Sequence, residues 1–427
     1  MHKFFFLLSL LIILPTLYCL GVILKKQGHA LRRRLALLLL VPNVVAAALM
    51  AALIAGANHQ WLFKSLFYIL ICWTVPTTLW AATHAVGLAL WWLTRRLVLR
   101  PLSTPSRTAS RLLPARRAPL TLHRAAWMVA LVAFGVQLIG ATWGWRQLRV
   151  KRTDITVSEL PAGFDGFRIV QLSDLHIGTF GNDTAMVASV VDSALSLRPD
   201  LIVFTGDMVN TLPEELTPAM RRTLARLSAP HGVVAILGNH DYCIYGGAST
   251  RQEVERAAQR IVGLERLMGW TVLLNDNLPI VCAGDTLYVA GTHYKGKPHR
   301  PWLKGDGRGD ETRDDTTRTP YRPRWGNLEA ALSGIPPHHC TLLLSHDPWI
   351  WRAEVVGRHD VALTLSGHTH ALQLQLGSFS PAAWFMPEWG GLYAEGNSRL
   401  YVSTGVGANV PYRLGAWPSL DLLILHR

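Results

Sequence analysis

Apolar residues follow two different spacings along the chain, and the change falls near Asp154. Before that point they form four long uncharged stretches, whereas beyond it they form short runs separated by polar segments. A helix of about 21 residues rises about 31 Å, which matches the hydrocarbon core of a bilayer. We therefore expect about four transmembrane helices within residues 1–152 and a second domain over residues 153–427. The four stretches are Phe4–Leu24, Leu35–Ala57, Leu66–Leu93 and Ala125–Trp145.

Two of these stretches leave an alternative open. Phe4–Leu24 has the position of a signal peptide, but it is long and lacks a clear small-residue cleavage site before Lys25, so an anchor is preferred. Leu66–Leu93 is long and contains Pro76 and His84. A broken or re-entrant pair of segments therefore remains the alternative to a single span there.

The charge distribution separates the same two regions. Residues 1–152 contain 19 Lys or Arg and no Asp or Glu, whereas the rest of the chain contains 23 basic and 28 acidic residues. The whole positive excess behind the net charge of +14 therefore belongs to the membrane region. No basic surface for a nucleic-acid partner is indicated in the second domain.

The basic residues also predict a topology. They concentrate in the loops Lys25–Arg34 and Arg95–Arg124, and the positive-inside rule assigns such loops to the cytoplasm. The sequence thus predicts a multi-pass protein of the plasma (inner) membrane whose C-terminal domain is periplasmic or extracellular. If Leu66–Leu93 were broken into two segments, the domain would face the cytoplasm instead.

Beyond Asp154, short apolar runs alternate with segments of helical period, which predicts an α/β domain with a largely buried sheet. Leu372–Leu376 and Leu400–Ser403 lack intervening helices and predict a second, partly antiparallel sheet. Lys295–Gly326 is polar and has almost nothing to bury, so residues 295–326 are expected to form a flexible insertion. A cover over the active site is the alternative for this segment.

Polar clusters follow five of the predicted strands, and their side chains suit metal ions. The carboxyl ends of strands in an α/β sheet face one crevice, so residues distant in sequence can converge there. Asp174 and His176, like His368 and His370, are separated by one residue, and in an extended backbone that spacing points both side chains to the same side. Carboxylate and amide oxygens with imidazole nitrogens are typical ligands of divalent metals. The clusters are Asp174–His176, Gly206–Asp207, Gly238–Asp241, His346–Asp347 and Gly367–His370.

The order of these five clusters resembles the motif set of the calcineurin-like metallophosphoesterase family: Asp-x-His, Gly-Asp, Gly-Asn-His-Asp, a distal His and Gly-His-x-His. The resemblance extends over Phe167–His370. It implies a four-layer α/β/β/α sandwich and a two-metal centre that activates a water for in-line attack on phosphorus. It further implies that Asp207 bridges both metals, with the other ligands divided as Asp174, His176 and His370 on one metal and Asn239, His346 and His368 on the other.

The same resemblance implies a catalytic role for the pair that follows Asn239. His240 would stabilise developing charge or protonate the leaving group, and Asp241 would orient it. The metals are expected to be Mn²⁺, Fe or Zn²⁺, because the imidazole ligands suit Ca²⁺ poorly.

The membrane-anchored branch of the family is the closest resemblance, since its members join hydrophobic spans to this domain. The tail Leu400–Asn409 and the tripeptide Pro411–Arg413 also look like that branch. One departure is that Ala371 and Leu372 stand where the branch usually has two glycines.

These observations predict a membrane-anchored, dinuclear-metal-dependent phosphohydrolase that cleaves phosphoester or pyrophosphate bonds. Its expected partners are membrane lipids and a phosphorylated, lipid-linked substrate. One alternative is an enzyme like the UDP-2,3-diacylglucosamine pyrophosphatases of lipid A synthesis, acting on the cytoplasmic face. Another is a non-enzymatic receptor or scaffold that retains the fold. A transporter with a regulatory domain is least favoured, because the spans contain no acidic residue.

Overall fold

The chain divides into two compact units in a computed structural model. The first, Met1–Gly140, is called the helical unit, and the second, Ala141–Arg427, the α/β unit. The predicted loop Arg95–Arg124 and the predicted insertion 295–326 lie largely outside the residues that the structure describes. The described residues are 2–24, 29–55, 60–94, 96–97, 120–157, 159–295 and 323–427.

The helical unit contains a continuous helical run where the sequence left a break open. A π-type turn over Leu70–Thr74 joins two α-helices, and Pro76 lies in the first turn of the second one. The run Trp61–Thr94 is therefore one candidate span rather than two. The helices are α1 His2–Ile23, α2 His29–Ile54, α3 Gln60–Ile69, α4 Val75–Thr94 and α5 Leu120–Thr142.

Three helical runs among the described residues are long and apolar enough to cross a membrane, judged by length and composition. They are His29–Leu53, Trp61–Thr94 and Leu120–Arg146. They correspond to the second, third and fourth predicted spans. The first predicted span falls on α1, of which Ile12–Ile23 qualifies only as a shorter apolar helix.

The α/β unit contains two six-stranded mixed sheets. The first has the strand order β1-β12-β2-β3-β4-β5, and the second has the order β10-β11-β9-β8-β7-β6. In the first sheet β2, β3, β4 and β5 run parallel, while β12 is antiparallel to β2. The strands are β1 Arg149–Thr156, β2 Arg168–Leu172, β3 Leu201–Phe204, β4 Val233–Ala235, β5 Thr271–Val272, β6 Asp276–Cys282, β7 Asp285–Gly291, β8 Thr341–Leu344, β9 Leu363–Ser366, β10 Gly391–Glu395, β11 Ser398–Val402 and β12 Ser419–His426.

Helices cover the outer faces of both sheets, which gives the four layers that the family resemblance implies. One apolar cluster, including Val190 and Ile261, lies between the first sheet and its helices. A second, including Val203 and Leu342, fills the space between the sheets, and a third packs Trp351 on the second sheet. The α-helices are α6 Thr184–Ser196, α7 Pro218–Leu224, α8 Arg251–Leu267 and α9 Leu328–Leu332.

Two features of this fold differ from the sequence-based expectations. Leu372–Leu376 is not a strand, because the backbone from His370 to Gln373 is left-handed and only isolated bridges follow it. In addition, β1 pairs with β12 in parallel along its whole length. The expected boundary after residue 152 therefore falls inside a strand of the α/β unit.

Candidate metal centre

All seven predicted metal ligands meet at one edge of the two sheets. Each lies on a loop that directly follows the carboxyl end of β2, β3, β4, β8 or β9. Their ligand atoms form two groups that share one carboxylate. The first group is Asp174, His176, Asp207 and His370, and the second is Asp207, His346 and His368, with Asn239 alongside.

The backbone that presents these ligands is not extended, contrary to the spacing argument. Asp174 and His176 have φ values of 51° and 43°, and Asp207 has a φ of 61°. His368 and His370 are also left-handed, at 74° and 48°. Such conformations are strained for residues with a side chain and cluster at functional sites. Left-handed turns, rather than strand geometry, thus bring each pair of side chains together.

In the first group, two imidazole nitrogens face each other at hydrogen-bonding distance. Nε2 of His176 lies 3.1 Å from Nε2 of His370. Nε2 of His370 is 3.5 Å from Oδ1 of Asp174, and Nε2 of His176 is 3.5 Å from Oδ2 of Asp207. Burial, followed by nearby positive groups, lowers the pKa of both histidines well below the usual range. Their nitrogens are therefore neutral at neutral pH and available as ligands.

In the second group, Asn239 and two imidazoles surround a single point. The Oδ1 atom of Asn239 lies 3.1 Å from Nε2 of His346 and 2.9 Å from Nδ1 of His368. Nδ1 of His346 donates to the backbone oxygen of Thr205 at 2.7 Å, which directs Nε2 toward Asp207, 3.2 Å away. A hydrogen bond of this kind fixes the tautomer and orientation of a metal-binding histidine.

The charges of Asp207 and His346 favour replacement of the His346 proton by a metal cation. Burial disfavours both charges, but the neighbouring imidazoles lower the pKa of Asp207 well below its usual range. Burial likewise disfavours the charge on His346, yet the Asp207 carboxylate outweighs it and raises the pKa of His346 to about 10. In the metal-free protein these two groups form an ion pair. A divalent cation binding there would release the imidazole proton.

His240 is oriented by a backbone carbonyl rather than by Asp241. Its Nδ1 donates to the oxygen of Asn210 at 2.6 Å, and its Nε2 lies 3.3 Å from the side-chain amide nitrogen of Asn409. The ring stacks on Tyr245 at a centroid distance of 4.2 Å and contacts His176 edge-on at 4.7 Å. The imidazole is therefore fixed beside the first group, with its Nε2 next to the amide of Asn409.

Asp241 instead holds the loop that carries Asp207. Its buried carboxylate accepts backbone N–H groups from Asp207, Met208 and Gly238, each at 2.8 Å. Burial and the nearby charge of Asp207 raise the pKa of Asp241 to about 7. The structure therefore differs from the expectation that Asp241 orients His240. The Asp241 carboxylate is occupied by main-chain donors, and the Asn210 carbonyl orients the imidazole instead.

The sequence-based reasoning assigned no role to Arg413, which lies against the first group. The side chain is only 1% exposed, and its Nη2 lies 3.4 Å from Nδ1 of His370. The guanidinium also donates to the backbone oxygens of Thr404, Gly407 and Ala416. The one feature of the sequence that could have indicated a role for Arg413 is its place in the tripeptide Pro411–Arg413, which resembles the membrane-anchored branch.

The donor set fits two divalent cations. The first group offers two neutral imidazoles and two carboxylates, and the second offers two imidazoles, an amide oxygen and the shared carboxylate. Mixed nitrogen and oxygen ligands of this kind suit Mn²⁺, Fe or Zn²⁺. Without a proton or a cation between them, the facing nitrogens of His176 and His370 would repel each other.

The fold and the site together define a phosphoesterase of the metal-dependent class. Residues 167–372 match the family described as calcineurin-like phosphoesterase. An uncharacterized metallophosphoesterase of Aquifex aeolicus is 30% identical over 225 residues, which cover 52% of this chain and 70% of that protein. The chain belongs to the calcineurin-like metallophosphoesterase family and is a hydrolase acting on phosphoester bonds.

Other relatives differ in length. The metallophosphoesterase YkuE of Bacillus subtilis is 29% identical over 316 residues, covering 70% of this chain and 94% of that protein. The bovine transmembrane protein with metallophosphoesterase domain is 28% identical over 302 residues, and the match spans 70% of this chain but only 62% of that relative. The UDP-2,3-diacylglucosamine pyrophosphatase LpxG of Chlamydia trachomatis is 40% identical over a shorter segment of 110 residues. That segment covers 24% of this chain and 33% of LpxG.

Proposed function

We propose that the protein is a membrane-anchored phosphohydrolase that uses two divalent cations and cleaves a phosphoester or pyrophosphate bond of a lipid-linked substrate. The observation that carries this proposal is the position of Asp207. Its Oδ2 atom lies 3.5 Å from the ligand nitrogen of His176 in one group and 3.2 Å from that of His346 in the other. A carboxylate shared in this way can bridge two cations about 3.5–4 Å apart and offset their charge.

The ligand roles follow from the two groups. Asp174, His176 and His370 would hold one cation, and Asn239, His346 and His368 would hold the other. When bound, two such cations stabilise charge on phosphate oxygens and lower the pKa of a water that serves as the nucleophile.

His240 would supply the proton chemistry. The Asn210 carbonyl holds the proton of Nδ1, so Nε2 is the atom that faces the site. A proton on Nε2 could be donated to the leaving oxygen or could stabilise the charge that develops on the phosphate. The amide nitrogen of Asn409 lies 3.3 Å from Nε2 and would help to keep the ring in this orientation.

The membrane helices support a substrate that is itself in the membrane. Three helical runs among the described residues are long and apolar enough to span a bilayer. Anchoring keeps a catalytic unit close to lipids and gives little advantage with a freely diffusing metabolite. A lipid-linked phosphate or pyrophosphate is therefore the proposed substrate.

The proposed location is the plasma membrane, with the catalytic unit on its outer side. The continuous helical run Trp61–Thr94 supports a single third span. With four spans in total, the N-terminus and the α/β unit lie on the same side of the membrane. The basic loops between the first and second spans and between the third and fourth spans then lie in the cytoplasm.

A second candidate function is hydrolysis of a nucleotide-linked lipid on the cytoplasmic face. It is favoured by the 40% identity over 110 residues to the Chlamydia trachomatis UDP-2,3-diacylglucosamine pyrophosphatase. That match covers only 24% of this chain, so it supports the reaction class more than the substrate.

The proposed reaction is tested with the purified full chain and bis-p-nitrophenyl phosphate. Activity should be lost after chelation and restored by added Mn²⁺, Fe²⁺ or Zn²⁺. Asp207→Asn should remove turnover and lower the bound metal measured by mass spectrometry, because the bridging charge is lost. A metal content of two per chain in the wild type, falling in the variant, would support the dinuclear assignment.

Asp192→Asn provides the matched control, since Asp192 is exposed on α6 and pairs with Arg226. It should retain both the metal content and the turnover of the wild type. Turnover of Asp207→Asn at the wild-type rate would contradict the two-metal centre.

A further inference from the structure

Five exposed apolar side chains form a surface on the segment that follows the last metal ligand. This surface, the apolar rim, consists of Leu372, Leu376, Phe379, Trp384 and Phe385, which are 44–72% exposed. In the described part of the α/β unit twelve large apolar side chains are exposed, and five of them fall within these fourteen residues. An exposed apolar surface of this kind marks an interaction site.

The rim is held in place by hydrogen bonds. Leu376 and Phe379 exchange backbone hydrogen bonds of 2.8 and 3.1 Å, and the rings of Phe379 and Trp384 are 5.7 Å apart. The buried hydroxyl of Ser380 donates to the backbone oxygen of Ala371 at 2.7 Å. The backbone that carries these side chains is therefore anchored to the rest of the α/β unit.

Leu372 combines two unfavourable features. Its φ is 46°, in the left-handed region that is strained for a leucine, and its apolar side chain is 45% exposed. Ala371 and Gln373 are left-handed as well. Local strain persists where the surrounding structure enforces it and commonly indicates function. Here the strained turn presents an apolar side chain two residues after the ligand His370.

The rim connects within the α/β unit to the end of the last candidate span. Gln375 donates its backbone N–H to Leu414, and Leu414 donates to Gln373, each at 2.9 Å. Three residues further on, the ring of Trp417 contacts that of Trp143 at a centroid distance of 5.7 Å. Trp143 belongs to the last turns of the run Leu120–Arg146, and tryptophans at span ends lie in the membrane interface.

The charges around the rim favour a lipid surface as its occupant. No charged residue occurs from Ala371 to Pro387, and the next acid, Glu388, is buried and accepts a hydrogen bond from Arg352 at 2.7 Å. Arg146 and Arg149, which follow Trp143, are exposed and can contact anionic headgroups. The rim is uncharged, and the segment that it reaches through Trp417 combines aromatic and basic residues. Membrane-interface segments have this composition.

We propose that the apolar rim inserts into the headgroup and acyl boundary of the same bilayer that holds the C-terminal end of α5. This inference rests on the proposed membrane anchoring and deepens it, because it places the metal centre at the lipid surface. His370, which precedes the strained turn, then lies next to lipid phosphates. Substrate would enter the centre directly from the leaflet.

The test uses the full chain in vesicles of phosphatidylethanolamine and phosphatidylglycerol, with the photoreactive residue p-benzoylphenylalanine in place of Phe385. Irradiation should yield lipid adducts at position 385, detected by mass spectrometry of the peptides. Leu267 provides the matched control, since it is 75% exposed at the end of α8, next to β5. The strand β1, which follows the last candidate span, and the strand β5 form opposite edges of a six-stranded sheet. Five strand spacings separate them by about 24 Å, so position 267 lies far from the membrane tether.

We expect adduct yields about tenfold higher at 385 than at 267. Equal yields, no lipid adduct at 385, or cross-linked dimers of the chain at 385 would overturn the proposal. Circular dichroism of each variant and its hydrolysis of bis-p-nitrophenyl phosphate in detergent establish that it is folded. Because cross-linking needs no turnover, an inactive wild type would contradict the proposed function alone, whereas missing lipid adducts in an active protein would contradict the rim alone.

Discussion

The two units of the protein distribute polar and apolar side chains in opposite ways. The described part of the helical unit exposes 28 large apolar side chains and buries four polar ones, whereas the larger α/β unit exposes twelve and buries 27. Membrane helices face lipid, so their apolar side chains need no core. A soluble domain buries polar groups only where they have partners or a function. The apolar rim is the part of the α/β unit that resembles the helical unit.

The first prediction concerns the side of the membrane that the α/β unit faces. Alkaline phosphatase fused after Arg427 should be active, and green fluorescent protein fused there should be dark. The physical reason is that 13 basic residues in the loops Lys25–Arg34 and Arg95–Arg124 resist transfer across the membrane. Both reporters should be compared at equal expression, measured by immunoblot.

The opposite reporter pattern would assign the α/β unit to the cytoplasm. It would contradict the four-span topology and would make a nucleotide-linked lipid the leading substrate. It would leave the metal centre itself unaffected.

The second prediction concerns the buried polar centre. His240→Ala should lower kcat by about 10²–10⁴, the range typical of general acid–base residues, while both metals remain bound. The variant His293→Ala is a suitable control, because His293 bonds to the Tyr242 hydroxyl instead of facing the ligand groups. Loss of a metal from His240→Ala would show that His240 is a ligand and contradict its proposed role.

A third prediction uses a buried acid that has no partner. Both carboxylate oxygens of Glu265 on α8 are buried without a hydrogen bond, and burial raises the pKa of this group well above its usual range. The folded protein therefore keeps the proton that the unfolded chain releases above about pH 4.3, so stability falls as the pH rises above that value. Glu265→Leu should raise the free energy of unfolding at pH 7 by about 1–3 kcal/mol.

The measurement is thermal melting of the α/β unit within the detergent-solubilised chain at pH 5 and pH 8. The gain from Glu265→Leu should be larger at pH 8. A substitution of Glu253 on the same helix should change stability in the opposite direction, because backbone donors from Ser249 and Thr250 lower the pKa of Glu253 to about 2. Glu253→Gln should therefore lower stability at neutral pH. A melting temperature lowered by Glu265→Leu would contradict this account.

Much of the α/β unit was predictable because its strands are short apolar runs between polar turns. The strands Leu201–Phe204 and Thr341–Leu344 are runs of this kind, and all of their residues are buried. β1 was missed, because Arg149–Thr156 is rich in charge and lies at a sheet edge where alternate residues face water. β6 and β10 also border solvent and lack the apolar pattern of buried strands.

The centre shows the same limit at the level of single residues. Motif order indicated which side chains converge. Asp and His adopt the left-handed backbone more often than most residues, but that preference is too weak to predict it at Asp174 and His176. The contacts of His240 with Asn210 and Asn409 join loops that are distant in sequence. Such contacts depend on how the two sheets pack, which local patterns do not encode.

The smallest expected effect comes from the strained turn that supports the apolar rim. Leu372→Gly removes an exposed apolar side chain and places glycine at a φ of 46°, which should stabilise the α/β unit by about 1 kcal/mol. Ala371→Gly relieves similar strain but loses a fully buried methyl group, a loss of about 0.8 kcal/mol, so it should be nearly neutral.

Thermal melting distinguishes the two variants, because 1 kcal/mol corresponds to about 2–4 °C for a domain of this size. A lower melting temperature for Leu372→Gly would mean that the leucine contributes packing that outweighs its strain. If the variant is more stable yet gives fewer lipid adducts at position 385, then Leu372 is retained at the expense of stability because the rim requires an apolar side chain there.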